Sequence, residues 1–270
     1  MPVVGSQLIN TSSTGRPTDL EDRPFSFAMS TQIFLNPADS PTDAVVSFKV
    51  NPTLLADTVA AGTSNLAIGF ATDAELNTLS SWTESQISAS SGNRFAVGFG
   101  RSTTAPAKVG VNIQGTQYTT IARAQNVSSV DITGNTLAMN DHPFVTGDRI
   151  IVSSTGSLPG GLATDTAYYA INSSTNSIKV AVSYADAIAG TEIDIQAAGS
   201  GTITVASDEI FTLTRSGATG AVSLRKGANT IAVFTNTNQQ SPLRLFYWCR
   251  EQSASSTAPL VKEVKVRGAT

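Results

Sequence analysis

The sequence predicts an all-β fold, and three observations support this prediction. Ser and Thr are abundant, with 32 Ser and 34 Thr in 270 residues, whereas charged residues make up only 14%; about 25% is usual in globular proteins. Short apolar segments rich in β-branched and aromatic side chains recur along the chain, bounded by Gly, Pro, Asn or Ser, which is typical of strands joined by turns. In the first half of the chain, only residues 74–81 show helical spacing of apolar residues.

The first 125 residues are expected to contain an N-terminal arm and six strands. Residues 1–24 are polar and rich in turn-forming residues, so we expect an extended arm rather than a packed element. Asn36-Pro37 and Asn51-Pro52 should end the first two strands, because proline has no N–H to donate to a sheet. The expected strands are residues 25–35, 44–50, 66–71, 94–100, 109–114 and 117–122.

Residues 126–206 differ in composition from the rest of the chain. They contain seven acidic and two basic residues, so their net charge is −5 and that of the remainder is +2 (−3 minus −5). The strands expected after this segment are residues 210–215, 221–225, 230–235, 243–251 and 261–267. We therefore predict a discontinuous β-sandwich of residues 25–125 and 207–270, with an acidic β-domain of residues 126–206 inserted in a loop. Three consecutive modules are the alternative.

Charge and composition argue against several classes of protein. A net charge of −3 and a pI of about 5.2 are unlike the basic surface of a nucleic-acid-binding protein. The N-terminal residues lack the regions of a signal peptide, and no segment approaches the roughly 20 apolar residues that cross a bilayer. A single cysteine, Cys249, cannot form an internal disulfide. The sequence thus predicts a soluble protein, made in the cytosol, that binds no nucleic acid and does not insert into a membrane.

The acidic segment carries a series of spaced motifs. They read HPFVTGDRI (142–150), GSLPGGL (156–162), TAYYAI (166–171), KVAVS (179–183), ADAIAG (185–190) and GSGT (199–202). This series resembles a small β-domain that recurs in bacteriophage virion proteins. The resemblance implies a place in a tail fibre, tail spike, baseplate or other exposed part of a phage particle. His142 is expected to cap a turn or pack beside Phe144, since the segment contains no second His or Cys for a metal site.

The flanking parts carry a more general series of strands and turns. The segments read DEIFTLTR (208–215), GAVSLRKG (220–227), NTIAVF (229–234) and VKEVKV (261–266). This series resembles the jelly roll of concanavalin A-like lectins and laminin G-type domains. The shared elements are an apolar strand, a hairpin with a Lys-Gly turn, a strand that ends in Phe and a terminal strand. The resemblance implies that the flanking parts form a two-sheet jelly-roll sandwich.

Motifs for catalysis are incomplete. Residues 191–197 (TEIDIQA) are similar to the Glu-Ile-Asp-Ile-x-Glu strand of jelly-roll glucanases, but Gln196 stands where the second Glu is expected. Retaining glycosidases need two carboxyl groups about 5–5.5 Å apart, and we interpret Glu192 and Asp194 as a coincidental match inside the acidic segment. The chain has one histidine and no Gly-x-Ser-x-Gly or phosphate-loop motif. We therefore predict no enzymatic activity, no cofactor and no bound metal.

Residues 243–250 (LRLFYWCR) are the strongest candidate for a contact surface. Strand alternation separates their side chains into two faces. The face expected in the core comprises Leu243, Leu245, Tyr247 and Cys249. The face expected to contact a ligand or another subunit comprises Arg244, Phe246, Trp248 and Arg250. An aromatic pair flanked by guanidiniums suits stacking on a sugar or docking of a protein; alternatively the arm, the inserted domain or a neighbouring subunit covers the rings. Trp82, in a segment that reads as a loop, is a further candidate.

Together these observations predict a non-enzymatic virion protein of a tail fibre, baseplate appendage or similar exposed assembly. Its expected partners are other virion proteins and further copies of itself, for example in a trimer, and host surface glycans are a candidate ligand. Capsid decoration, as a cement protein or head fibre, is one alternative. A carbohydrate-binding module or glycan hydrolase is another, opposed by the missing signal peptide and the incomplete Glu-Ile-Asp motif.

Overall fold

The computed structural model describes most of the chain and divides it into two compact units. Unit 1 comprises Met1–Val50, Leu54–Thr120 and Ile210–Thr270, and unit 2 comprises Asn51–Thr53 and Ile121–Glu209. The described residues are 8–10, 25–34, 43–52, 66–78, 94–101, 108–113, 116–234, 241–250 and 261–267. These residues contain 19 strands and two short helices.

Sheet A of unit 1 contains seven of the described strands. In spatial order they are β1 (Leu8–Asn10), β2 (Phe25–Phe34), β18 (Leu243–Arg250), β4 (Leu66–Ala71), β5 (Arg94–Arg101), β6 (Lys108–Ile113) and β7 (Thr116–Ala122). The pairs from β1 to β6 are antiparallel. All six residues of β4 are buried, which explains its continuous apolar sequence, since a strand covered on both faces does not need polar alternation.

Sheet C of unit 1 contains five described strands. In spatial order they are β17 (Asn229–Val233), β16 (Val222–Lys226), β15 (Ile210–Arg215), β3 (Ala44–Val50) and β19 (Val261–Arg267). The described pairs are antiparallel. Along β3 buried and half-buried residues alternate, which is the pattern of a sheet with one face on the core and one face outward.

The two sheets of unit 1 pack face to face through phenylalanine rings. Phe48 of β3 meets Phe99 of β5 edge to face, with 6.0 Å between ring centroids, and Phe211 of β15 lies 5.1 Å from Phe99. Phe95 of β5 and Phe234, just after β17, form a second contact at 5.9 Å. Aromatic pairs at these distances and angles add to the free energy of burying the rings. The predicted all-β fold with a two-sheet antiparallel sandwich is therefore confirmed.

Unit 2 is built on a separate sheet, sheet B. Its described strands are, in spatial order, β8 (Gln125–Asn126), β14 (Ile203–Ser207), β11 (Arg149–Ser154), β12 (Ala167–Ser174), β13 (Ser177–Ala181), β10 (Thr136–Ala138) and β9 (Ser129–Asp131). A buried apolar cluster on this sheet includes Leu137, Phe144, Ile150 and Val180. Unit 2 thus has a hydrophobic core of its own.

The two described helices are both short and both start at a capping hydroxyl. Helix α1 (Asp73–Leu76) begins after Thr72, whose Oγ1 accepts a bond from the Glu75 N–H. Helix α2 (Tyr184–Ala189) begins after Ser183, whose Oγ accepts from the Asp186 N–H at 3.1 Å. Ser and Thr suit these positions because their oxygens satisfy N–H groups that lack a partner in the first turn.

The N-terminal arm predicted for residues 1–24 differs from the structure in one place. Leu8–Asn10 form strand β1, which pairs with β2 in the register Leu8↔Ser30, so this part of the arm belongs to sheet A. The other residues of the predicted arm lie outside the described residues. Helix α1 starts at Asp73 and ends at Leu76, so it overlaps the start of residues 74–81, the segment with helical spacing of apolar residues.

Candidate functional site

The two aromatic rings predicted to face a ligand are buried in unit 1. Phe246 and Trp248 of β18 are both 0% exposed, and they share a core cluster with Ala67, Ala96 and Leu76. The prediction of an exposed aromatic pair is therefore wrong for these two residues. Strand β18 lies inside sheet A between β2 and β4, and buried side chains lie on both of its faces, Leu243 and Leu245 on one and Phe246 and Trp248 on the other. Strand alternation predicts which side chains share a face, but it does not show whether that face meets solvent.

The arginine that precedes the buried rings holds helix α1. Nε of Arg244 donates to Oδ1 of Asp73 at 2.5 Å, and Nη2 lies 3.4 Å from Oδ2. The Asp73 side chain is 65% exposed and that of Arg244 is 22% exposed. Trp82 and the side chain of Arg250, the other predicted contacts, lie outside the described residues.

A second arginine binds the same helix from strand β5. Nη1 of Arg94 lies 3.4 Å from Oε1 of Glu75, and the Arg94 side chain is 6% exposed. Burial lowers the pKa of Arg94, and the Glu75 carboxylate opposes that shift. Arg244 and Arg94 both lie opposite Ala71 across β4, so the two acidic side chains of α1 meet a row of two cations. This arrangement stabilises the position of α1 on sheet A.

Small side chains separate the bulky residues on this face of sheet A. The register aligns Trp248 with Ala67, Ala67 with Gly98, and Gly98 with Asn112. Asn112 is 1% exposed. In the part of the chain that the structure describes, neither Nδ2 nor Oδ1 of Asn112 has a hydrogen-bond partner. An amide left in this state lowers stability, because it has lost its bonds to water without replacement.

Basic side chains from distant parts of the chain lie together on the outward face of sheet C. One cross-strand row of side chains follows from the registers Arg225↔Thr212, Thr212↔Ser47 and Ser47↔Lys265. Registers Ser223↔Thr214, Thr214↔Val45 and Val45↔Arg267 form the row beside it. Directly opposite residues present their side chains on the same side of a sheet. We call this surface the basic face. Its members are Lys49, Arg225, Lys265 and Arg267, with Val45, Ser47, Thr212, Thr214 and Ser223 between them.

Three of the four cations on the basic face are open to solvent. Arg225, Lys265 and Arg267 are exposed, and within the described residues none of the three forms an ion pair. Nζ of Lys49 binds Oε1 of Glu263 at 2.8 Å. Among the side chains that the structure describes, four cations and one acid give this face a charge of +3 (4 minus 1), whereas the whole chain carries −3. The face is therefore a local cationic surface on an acidic protein.

The motif histidine of unit 2 has a structural role. Nε2 of His142 lies 2.8 Å from the Ser174 carbonyl oxygen and 3.1 Å from that of Ser177. Carbonyl oxygens only accept, so Nε2 carries the hydrogen and donates to both. The His142 ring lies beside Phe144, with centroids 6.2 Å apart. These contacts agree with the predicted role in a turn beside Phe144.

The Thr-Gly-Asp motif of unit 2 closes a tight turn. Oδ2 of Asp148 accepts from the Val145 N–H at 3.0 Å. Gly147 has φ of 91°, a conformation that favours glycine because other residues place Cβ against the backbone. The Gly147 N–H donates to the Ala170 carbonyl at 2.9 Å. The motif residues therefore hold the backbone of strand β12 next to this turn.

Glu192, in the segment that is similar to a glucanase motif, forms an ion pair with Lys179. Oε1 of Glu192 accepts from Nζ of Lys179 at 2.7 Å. The hydrogen bond from Lys179 is the main cause that lowers the pKa of Glu192. A general acid of a glycosidase needs a raised pKa, so the environment of Glu192 is the opposite of what that role requires.

An apolar surface of unit 2 surrounds the Thr-Gly-Asp turn and helix α2. A Cβ placed on Gly147 would come within 2.8 Å of Cε2 of Tyr184 and 3.5 Å of Cδ1 of Ile188, so both side chains lie over this glycine. The Tyr184 and Tyr169 rings meet edge to face at 6.1 Å. Tyr184 is 45% and Ile188 is 58% exposed. We call Tyr169, Tyr184 and Ile188 the Tyr184 patch.

Among the described residues, no group of three or more His, Cys, Asp or Glu side chains is placed to hold a metal ion. None of the helices that the structure describes is long and apolar enough to cross a membrane.

Comparisons with known proteins yield one structural likeness. No protein-family model matches the chain, and no curated protein matches it. Among solved structures, the chain is similar to lectin I-B4 from Griffonia simplicifolia in its metal-free form, with 11% sequence identity and a TM-score of 0.33. The match covers 96% of this chain and 89% of that one. No site or ligand is transferred from it to this chain.

The basic face was missed by reasoning from the sequence. Its cations lie on β3, β16 and β19, which are far apart along the chain and are brought together only by the order of strands in sheet C. One signal was present: residues 264–267 read VKVR, where basic and apolar residues alternate. Such alternation predicts a strand with one charged face, but it does not identify the neighbouring strands.

Proposed function

We propose that this chain is a non-enzymatic structural protein of a bacteriophage particle. Its place is a tail fibre or baseplate appendage, where it contacts neighbouring virion subunits and further copies of itself and helps to attach the particle to host surface glycans. The proposal combines the motif resemblance of residues 142–202 with the surface that these motifs build in unit 2. It requires no cofactor and no metal.

The Tyr184 patch is the observation that carries the proposal. The patch is formed by side chains on α2 and β12 around Gly147. Tyr169 and Ile188 belong to the motifs TAYYAI and ADAIAG, and Tyr184 lies between KVAVS and ADAIAG. Val182 is 67% exposed and Val145 is 49% exposed, and both lie within two residues of the patch or its turn. Exposed apolar surfaces that are larger than a single side chain mark sites of protein contact. A subunit that docks here would bury these side chains on assembly.

The chemistry of the motif residues supports a structural role. His142 binds two carbonyl oxygens, Asp148 binds a backbone N–H, and Glu192 binds Lys179. Each of these groups maintains a turn or joins two segments. A nucleophile and an adjacent base, which covalent catalysis needs, are not found together at these positions.

A complementation experiment tests the proposal. Val182→Ser and Ile188→Ser together remove exposed apolar surface from unit 2, and Ile132→Ser removes a side chain that is 46% exposed at another turn of the same unit. We expect the double variant to remain folded but to be incorporated poorly into particles, while Ile132→Ser is incorporated normally. Incorporation is measured by quantitative immunoblotting of purified particles, and thermal unfolding verifies the fold.

Antibody labelling of particles identifies the location. Labelling of tail appendages supports the proposal, and labelling of capsid facets replaces the tail assignment with capsid decoration. Absence of the chain from purified particles, or equal incorporation of the double variant and wild type, contradicts the proposal.

A further inference from the structure

We propose that the basic face of sheet C binds an anionic polysaccharide. The inference deepens the proposed function, because it names the chemical class of the host glycan and the surface that would bind it. The basic face carries +3 on a chain of net charge −3. Unit 2, by contrast, has nine acidic and three basic residues over 121–209, so its net charge is −6 (3 minus 9). Unit 1 therefore carries a net charge of +3 (−3 minus −6), and the basic face is a cationic surface within it.

The spacing of the cations suits an extended ligand. Arg225 lies on β16 and Lys265 on β19, which are separated by β15 and β3. Neighbouring strands lie about 4.8 Å apart, so roughly 14 Å separates the two strands that carry these cations. Arg267 lies two residues beyond Lys265 on the same side of β19. A chain with carboxylate or sulfate groups on successive sugars can reach cations at both sides of this face, whereas a single small anion cannot.

Hydroxyl groups lie between the cations. Oγ of Ser47 and Oγ1 of Thr212 are 3.2 Å apart and hydrogen-bonded, and Thr214 and Ser223 flank them in the next row. All four residues are half-buried, so their short side chains do not project far from the sheet and the surface between the cations is polar. Hydroxyl groups both donate and accept hydrogen bonds, which matches the hydroxyl groups of a sugar chain.

The same composition disfavours a protein partner on this face. The centres of protein–protein interfaces are enriched in aromatic side chains, Met and Arg and depleted in Lys and Ser; of the enriched types, only Arg occurs among the described residues of the basic face. The described residues of the basic face include Ser47, Ser223, Lys49 and Lys265 and contain no aromatic ring or Met. Without rings to stack on, neutral sugars gain little here, so the anionic groups supply the binding free energy.

Binding of dextran sulfate to the full chain, with neutral dextran as the uncharged match, tests the inference. The variant Lys265→Gln with Arg267→Gln removes two exposed cations from the face. Lys108→Gln removes a half-buried cation of sheet A and serves as the control. We expect dextran sulfate to bind and dextran not to bind. We expect the double variant to weaken binding about tenfold, since each exposed contact contributes modestly, while Lys108→Gln leaves the affinity unchanged. Raising the salt concentration should weaken binding by wild type more than by the double variant.

Three results would overturn the inference. One is equal affinity of wild type and the double variant for dextran sulfate. Another is tighter binding of duplex DNA than of dextran sulfate at equal charge, which would indicate a nucleic-acid surface. The third is self-association in sedimentation velocity that the double variant abolishes, which would assign the face to a second copy of the chain. Localisation in particles is a separate measurement. If antibodies locate the chain in tails but the chain does not bind dextran sulfate, the proposed function stands and the polysaccharide site is rejected.

Discussion

Arg244 and Asp73 join strand β18 to the first residue of helix α1 through a charge-assisted hydrogen bond of 2.5 Å between Nε and Oδ1. Arg94 and Glu75 repeat the same pairing from β5. Two arginines from different strands therefore hold a helix of only four residues, which has too few internal hydrogen bonds to be stable in isolation. The position of α1 depends on these contacts and on the buried Leu76.

A double-mutant cycle should measure the contribution of the Arg244–Asp73 pair. We expect Arg244→Met and Asp73→Asn each to lower the free energy of unfolding, with a coupling energy of about 0.2–1 kcal/mol because Asp73 is largely exposed. Denaturant unfolding followed by tryptophan fluorescence provides the measurement, since Trp248 lies in the core of unit 1. A coupling energy of zero would show that α1 does not depend on this pair.

Truncation of Trp248 should strongly destabilise unit 1. Trp248 is 0% exposed, so we expect Trp248→Ala to lower the free energy of unfolding by about 3–5 kcal/mol. Trp248→Phe keeps a ring in the cluster and should lose less. Urea unfolding followed by far-ultraviolet circular dichroism avoids dependence on the removed fluorophore. If Trp248→Ala unfolded at the wild-type urea concentration, the ring would lie at the surface.

Replacement of Asn112 by an apolar side chain should be tolerated. Its amide is buried and, within the described residues, makes no hydrogen bond. Asn112→Leu removes that unsatisfied amide, so we expect unchanged stability or a gain of about 1 kcal/mol. Asn112→Asp keeps the shape but places a carboxyl group in the same site, and it should destabilise unit 1. Both variants are compared by differential scanning calorimetry; equal losses in the two would show that the amide has a partner.

The Glu192–Lys179 pair should give unit 2 a small pH dependence. The pKa of Glu192 is lowered in the folded chain, chiefly by the hydrogen bond from Lys179. The pair therefore stabilises the fold above the ordinary carboxyl pKa, and this stabilisation is lost as pH falls through the lowered value. We expect Glu192→Gln to cost less than about 1 kcal/mol at pH 7, because the pair is partly exposed.

The difference between Glu192→Gln and wild type should vanish in acid. Thermal unfolding from pH 7 to pH 3 measures it, and Asp194→Asn, which removes an exposed carboxylate two residues away, serves as the control. A difference that stays constant across this range would show that Lys179 does not stabilise the Glu192 carboxylate.

Local sequence patterns predicted much of unit 1. Strands β3 and β4 have the predicted bounds of residues 44–50 and 66–71, because proline, glycine and asparagine mark their ends. Leu243 and Leu245 are buried, as alternation predicted. These features depend on neighbours within a few positions along the chain, which a sequence displays directly.

Features that depend on strand order were not accessible in the same way. The burial of Phe246 follows from its packing with Ala67, Ala96 and Leu76, which lie on other strands and on α1. The pairing of Ser47 with both Thr212 and Lys265 follows from the place of β3 in sheet C. Partners separated by more than 150 positions leave no periodic signal. Alternation therefore predicted two faces for each strand, and only the assembled sheets show what each face meets.

The strands at the two ends of unit 2 have a consequence for how this protein can change. Asn126 of β8 lies opposite Thr204 of β14, and Thr204 Oγ1 donates to Asn126 Oδ1 at 3.0 Å. The chain thus enters and leaves unit 2 on adjacent antiparallel strands. A short turn can bridge the distance between β8 and β14. A single recombination event can therefore add, remove or exchange unit 2 while the reading frame of the sequence that encodes the sandwich is kept. Diversity in unit 2 can then arise by exchange of whole domains, without the slow accumulation of compensating core substitutions.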